Sequence, residues 1–88
     1  IIALDEGGEA LYSKEFAKYL SNWAADGIGY CHIVIGGPDG LDKSLLEKSD
    51  LKISFGKMVW PHMLARVMIA EQLYRSATIL AGNPYHRE

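Results

Sequence analysis

Hydrophobic and polar positions along the chain switch repeatedly between strand-like runs and helix-like spacing. Ile1-Ile2-Ala3-Leu4 is an apolar run rich in β-branched residues, stopped by Asp5-Glu6-Gly7-Gly8, the pattern of a buried strand followed by a turn. From Ser13, which suits an N-cap, Phe16, Tyr19, Leu20 and Trp23 recur at i, i+3, i+4 and i+7 and predict an amphipathic helix. Asp26-Gly27-Ile28-Gly29 ends that helix. Cys31 to Ile35 reads as a second strand running into Gly36-Gly37-Pro38-Asp39-Gly40, a short helix is expected near Ser44 to Lys48, and Leu51 to Phe55 reads as a third strand.

The last element is the longest. Pro61 stands where proline is favoured at a first helical position, and neither Gly nor Pro interrupts the run before Gly82 and Pro84. About twenty-one residues of helix would reach roughly 31 Å. At 100° per residue, His62, Arg66, Gln72 and Ser76 cluster on one side, while Glu71, Arg75 and Thr78 fall nearly opposite, with apolar residues flanking both groups. Such a helix is expected to pack on a sheet on one side and on another subunit on the other. Alternation of strand and helix implies an α/β fold with parallel strands, because strands joined through crossover helices run the same way. Ligands in such sheets bind beyond the carboxyl ends of the strands, where the turn after Ile35 and the segment after Phe55 both lie.

Composition narrows the picture. Eighty-eight residues, 49% hydrophobic and 23% charged with a net charge of −2, describe a single small domain over 1–88 and exclude a disordered or fibrous chain. A core this thin often needs a disulfide, a metal or a partner. The single Cys31 forms no internal disulfide, and His32, His62 and His86 show no zinc-site spacing, so no metal is expected and a partner subunit becomes the leading stabiliser. No signal peptide and no membrane-spanning apolar run is present, so no membrane partner is expected, and cysteine usage fits a cytoplasmic protein. Without a basic excess, a polyanion would have to be met by a local patch.

Several groups carry candidate chemistry. Gly36-Gly37-Pro38-Asp39-Gly40 lacks the spacing of a dinucleotide or phosphate loop; it reads first as a tight turn, and second as backbone against which a ligand lies. Gly56-Lys57-Met58-Val59-Trp60-Pro61 puts Met and Trp between a strand and a helix, which burial and a ligand pocket explain equally well. Glu71 and Arg75, at i and i+4, read by default as a surface ion pair. His32, alternating with core residues, reads as structural. The tail Asn83 to Glu88 resembles a frayed terminus, yet Tyr85, His86 and Arg87 join an aromatic ring, an imidazole and a guanidinium, groups suited to base stacking, proton transfer and phosphate contact.

Taken in order, Ile35-Gly36-Gly37-Pro38-Asp39-Gly40-Leu41, Pro61-His62, Leu64-Ala65-Arg66-Val67, Ala70-Glu71-Gln72-Leu73-Tyr74-Arg75 and Pro84-Tyr85-His86-Arg87-Glu88 resemble the RlmH family. Its members are SPOUT-class methyltransferases that use S-adenosylmethionine to methylate N3 of a pseudouridine in 23S ribosomal RNA of the ribosome. The resemblance implies a C-terminal trefoil knot in the α/β fold, an exception to the rule that backbones do not knot. It further implies a homodimer whose subunits share the site. Carried over residue by residue, it implies cofactor contacts at Leu4, Gly37, Gly56, Lys57, Met58, Val59, Trp60 and Pro61. Gly56 to Trp60 departs from the commoner Ser-Lys-Met-Thr-Leu of that loop. Arg75, Tyr85 and His86 match positions used for substrate and catalysis. Members of the family carry a further N-terminal stretch before the strand at Ile1, so the resemblance implies an N-terminally shortened chain.

The chemistry expected of these residues follows. Methyl transfer from a sulfonium is an in-line displacement, so the protein mainly holds donor and acceptor in contact. His86, or a water it orients, is expected to take the N3 proton; Arg75 to meet charge developing on the pyrimidine carbonyls; Tyr85 to stack on the base; and Arg87 with Lys57 to meet phosphate. The competing expectation is a non-catalytic knotted module that binds S-adenosylmethionine or dimerises, or an inactive fragment. A SPOUT enzyme acting on transfer RNA is disfavoured by the Tyr-His-Arg-Glu ending.

Overall fold

The computed structural model describes residues 1–36 and 40–86. Among these, the elements run β1 (Ile2–Glu9), α1 (Ser13–Ala25), β2 (Ile33–Ile35), α2 (Lys43–Lys48), β3 (Leu51–Ile53) and α3 (His62–Leu80). The strands form a parallel sheet in the order β2-β1-β3, as the alternation of strand and helix predicts.

Central position explains the apolar opening of β1. Ile2 and Ala3 expose no surface and Leu4 almost none, because neighbours flank the strand on both edges. Side chains alternate faces along a strand, so Ile33, Ile2 and Leu51 form one row across the sheet, and Ile35, Leu4 and Ile53 form a second row on the same face. Phe16 of α1 and Ile69 of α3 close over these rows, with Leu11, Leu20, Trp23 and Phe55 at the margin. Each such side chain contributes about 1.5–3 kcal/mol when fully buried. The right-handed rule for parallel crossovers assigns α2 to the other face, and none of its residues joins this core.

Helices α1 and α3 pack on each other as well as on the sheet. Ser13 Oγ donates to Gln72 Oε1 at 2.8 Å; one turn further along each helix, Ala17 and Ser76 are both buried. The N-cap is therefore Tyr12, not Ser13, and Glu15 Oε1 accepts the Tyr12 N–H at 2.8 Å. Pro61 likewise caps α3 from outside, one position before the first helical residue. At the far end of α3, Gly82 takes a φ of +76°, its N–H reaches Ile79 O at 3.1 Å, and the Asn83 N–H reaches Thr78 O at 2.9 Å. This Schellman arrangement turns the chain back along the helix. No helix among the described residues is long and apolar enough to cross a membrane.

Three further sequence expectations need correction. Asp5 to Gly8 is not a turn: β1 continues to Glu9, which pairs with Ile53 after an irregularity that follows Leu4. Only glycine allows this path, because a Cβ on Gly8 would sit 2.7 Å from the Lys52 carbonyl carbon and 2.8 Å from Ile53 N. Cys31 and His32 are exposed and precede β2, whose ladder opens at the Ile2–Ile33 pair; His32 stacks edge-on with Tyr30 instead of entering the core. Finally, β3 ends at Ile53, so Ser54 and Phe55 belong to the following loop.

Gly8→Ala is expected to lower stability by about 1–3 kcal/mol, the usual cost of overpacking, read as a reduced urea midpoint. An unchanged midpoint would show that β1 does not cross against β3 at this point.

Candidate functional site

Where the three strands end, the sheet opens into a cavity of about 830 Å³. Leu4, Asp5, Glu6 and Gly7 of β1 line its floor, with Ile35 and Gly36 at the end of β2, Ile53 and Phe55 at the end of β3, and Gly40 and Leu41 before α2. Met58, Val59, Trp60, Pro61 and His62 form the remaining wall, with Ala65 from the first turn of α3. The position is the one expected for a ligand of a parallel sheet, and the volume lies within the range of small-molecule sites.

Local hydrogen bonds shape the wall. Ser54 Oγ bonds both the N–H and the C=O of Gly56, each at 3.0 Å, and Gly56 adopts a φ of +108° that favours glycine. The Trp60 indole N–H then donates to Phe55 O at 3.3 Å, folding the loop onto itself. On the floor, Asp5 Oδ2 accepts the Gly7 N–H at 3.0 Å. A Cβ on Gly36 would lie 3.4 Å from Leu4 O and 3.3 Å from the Leu41 side chain, so the chain leaving β2 packs closely on β1 and on the approach to α2. Among the described residues, no group of three or more His, Cys, Asp or Glu could hold a metal ion.

A second cluster forms where the tail returns to α3. Arg75 makes a two-pronged pair with Glu71, Nε to Oε1 at 2.9 Å and Nη2 to Oε2 at 3.1 Å. Its Nη1 meets His86 Nδ1 at 3.0 Å. The Tyr85 hydroxyl donates to Glu71 Oε2 at 2.8 Å, its ring lies 4.9 Å from the Arg75 guanidinium carbon, and Tyr74 packs edge-on against it at 5.0 Å. The pair is half-buried, and the tail is docked through at least Tyr85 and His86.

Residues 1–86 match the family described as "Predicted SPOUT methyltransferase". The chain belongs to the SPOUT methyltransferase family. Proteins named ribosomal RNA large subunit methyltransferase H are similar to it throughout: that of Paracoccus denitrificans (strain Pd 1222) is 58% identical over 88 residues, covering 100% of this chain and 56% of that protein. The namesake of Dinoroseobacter shibae (strain DSM 16493 / NCIMB 14021 / DFL 12) is 58% identical over 87 residues, 99% of this chain and 56% of its own length. That of Novosphingobium aromaticivorans (strain ATCC 700278 / DSM 12444 / CCUG 56034 / CIP 105152 / NBRC 16084 / F199) is 54% identical over 87 residues, covering 99% and 62%. The chain thus spans little more than half the length of these relatives.

Within this SPOUT family member, the residues singled out from sequence fall into two groups. Leu4, Gly56, Met58, Val59, Trp60 and Pro61 all line the cavity, whereas Lys57 is exposed and does not, and Gly37 lies outside the described residues, as does Arg87. Arg75, Tyr85 and His86 come together in the tail cluster, and none of them lines the cavity. Arg75 stands ten residues beyond Ala65, the last residue of α3 in the lining, about 15 Å along the helix at 1.5 Å per residue, farther than its side chain reaches. Sequence reasoning missed Asp5, Glu6 and His62 in the cavity, although Asp5 and Glu6 directly follow the expected end of β1. It also took Glu71 as half of an ordinary surface pair, with no sign that Tyr85 joins it.

Hydrogen bonds from Arg75, then from Tyr85, hold the Glu71 carboxyl below its ordinary range. Conversely, donation to Glu71 holds the Tyr85 phenol above its usual value, since a phenolate would face the carboxylate. Glu71 therefore supports tail docking above the ordinary glutamate pKa and loses that support as pH falls through its lowered one. Tyr85 supports docking below the ordinary tyrosine pKa and loses it as pH rises through its raised one. Tyrosinate absorbance of the wild type minus that of Tyr85→Phe should give a midpoint above about 10, the ordinary tyrosine value, moving back towards it in Glu71→Gln. A midpoint at or below the ordinary value would mean that the tail is undocked in solution.

Proposed function

We propose that this protein is an S-adenosylmethionine-dependent methyltransferase acting on N3 of a pseudouridine in 23S ribosomal RNA. On this proposal it works in the cytoplasm on the ribosome, as a homodimer with a C-terminal trefoil knot. The observation that carries the proposal is the cavity at the strand ends, built from the segments that the family resemblance assigns to the cofactor. Gly56, whose missing Cβ would face open space, leaves room for close backbone contact, while Phe55, Met58 and Trp60 offer apolar surface for an adenine ring. Asp5 and Glu6 place carboxylates beside a ligand whose sulfonium is positive. These features fit the cofactor, and the names of the relatives support ribosomal RNA as the substrate.

When bound, S-adenosylmethionine supplies an electrophilic methyl group on sulfur. The rest of the work falls to the protein's own side chains. Leu4, Gly56 and residues 58–61, with Gly37, hold the donor; Arg75 stabilises negative charge on the pyrimidine carbonyl oxygens; Tyr85 stacks on the base; Lys57, exposed on the loop, meets phosphate. The N3 proton leaves either to His86 or to a water that His86 orients.

The separation of the two clusters supports the dimer. Because Arg75 does not reach the cavity of its own chain, the tail cluster of a second copy would complete the site. Met63, Val67, Ala70 and Tyr74, at i, i+4, i+7 and i+11 of α3, form an uncovered and largely apolar stripe suited to that contact.

Calorimetric titration with S-adenosylhomocysteine beside a methylation assay on ribosomes tests the proposal. Binding with turnover is expected. Binding without turnover would make the chain a cofactor-binding module, and neither would make it an inactive fragment. Arg75→Ala should cut turnover by roughly 10²–10³-fold, the loss typical of a removed charge-stabilising donor, with cofactor affinity nearly unchanged; loss of affinity instead would make Arg75 structural. Val67→Asp should convert the protein to a monomer in sedimentation and abolish methylation while its circular dichroism is retained, and a still dimeric, active variant would remove α3 from the interface.

A further inference from the structure

Arginine has hydrogen-bond donors and no acceptor. The contact of Arg75 Nη1 with His86 Nδ1 at 3.0 Å therefore requires that ring nitrogen to accept. In a neutral imidazole one nitrogen accepts and the other carries the proton, so the proton of His86 sits on Nε2. While this contact holds, Nδ1 is occupied and Nε2 already bears hydrogen.

The aim of the guanidinium comes from Glu71. Both carboxylate oxygens are engaged by Arg75, and this fork fixes the plane of the guanidinium and leaves Nη1 directed at the tail. The same carboxylate receives the Tyr85 hydroxyl, which sets the ring against the guanidinium. One side chain thus orients all three groups of the tail cluster, although it is only the i,i+4 neighbour of one of them.

We propose that Glu71 is a positioning residue for the methyl-transfer site and that, through Arg75, it locks His86 in the Nε2–H tautomer. With Nδ1 accepting from Arg75 and Nε2 already protonated, His86 has no lone pair for the N3 proton, which leaves to water. The electron pair left on N3 forms the new N–C bond, and the pair of the broken S–C bond stays on sulfur as a neutral thioether. This rests on the methyltransferase proposal and decides between its two destinations for the proton.

Long-range ¹H–¹⁵N spectra of the histidine-labelled protein read the tautomer directly and do not depend on activity. The spectra are recorded at mildly alkaline pH, where an unperturbed imidazole is neutral, with His86 assigned by its loss in His86→Asn. The wild type is expected to show the Nε2–H pattern. In Glu71→Gln the two ring-nitrogen signals should converge towards the average of exchanging tautomers, and Arg75→Lys, which cannot form the fork, should do the same. A thermal melt like the wild type's excludes unfolding as the cause. An Nδ1–H pattern in the wild type, or an unchanged pattern in both variants, would overturn the tautomer lock. In the methylation assay, Glu71→Gln should lose roughly 10–100-fold in kcat, as expected for a group that orients a ligand-contacting side chain, with the affinity for S-adenosylhomocysteine unchanged. An unchanged kcat beside a lost tautomer would overturn the positioning role. A wild type that does not methylate would instead refute the methyltransferase proposal, with the spectra still deciding the lock.

Discussion

The burial of Ile2, Ala3 and Leu4 between two parallel neighbours is the constraint on which the other elements depend. It sets both rows of apolar side chains, and through them the seats of Phe16 and Ile69. Because β1 is central, the residues that follow its buried opening run form the cavity floor, so the strand that anchors the core supplies part of the candidate site. Core and site are joined covalently within four residues, from Leu4 to Gly7, and disturbance of one transmits to the other without passing through a flexible linker.

Helix α3 divides its surface among several tasks. Ala65 and Ile69 face inward, Gln72 and Ser76 meet or lie toward α1, Glu71, Tyr74 and Arg75 receive the tail, and Met63 and Val67 remain uncovered. A helix that serves so many neighbours has no single polar stripe, which is why its polar residues fall on two sides in the sequence.

Much of the fold was legible because its signals are local. The apolar opening run, the i, i+3, i+4, i+7 spacing from Phe16 to Trp23 and the long run closed by Gly82 each state their own structure. What could not be read depends on partners distant in the chain. Gly7 and Gly8 look like a turn until β3 is placed against them; Cys31 and His32 look like strand until the ladder is seen to open at Ile33. At the site, residues 56–61 were marked by an odd composition and by family resemblance. Asp5 and Glu6 carried no such mark, and the reach of Glu71 to Tyr85, fourteen positions away, is a tertiary fact.

The reversal at Gly82 gives the stretch from Arg75 to the helix end the character of a ruler. A helix advances 100° with each residue, and the chain leaves it at a fixed point set by the Asn83–Thr78 and Gly82–Ile79 bonds. Adding or removing a single residue between Ser76 and Leu80 would leave every strand pairing intact yet swing the returning tail about a quarter-turn around the helix, away from Glu71. Phase, as well as the burial of Ser76 and Thr78, is what this part of the molecule has to preserve.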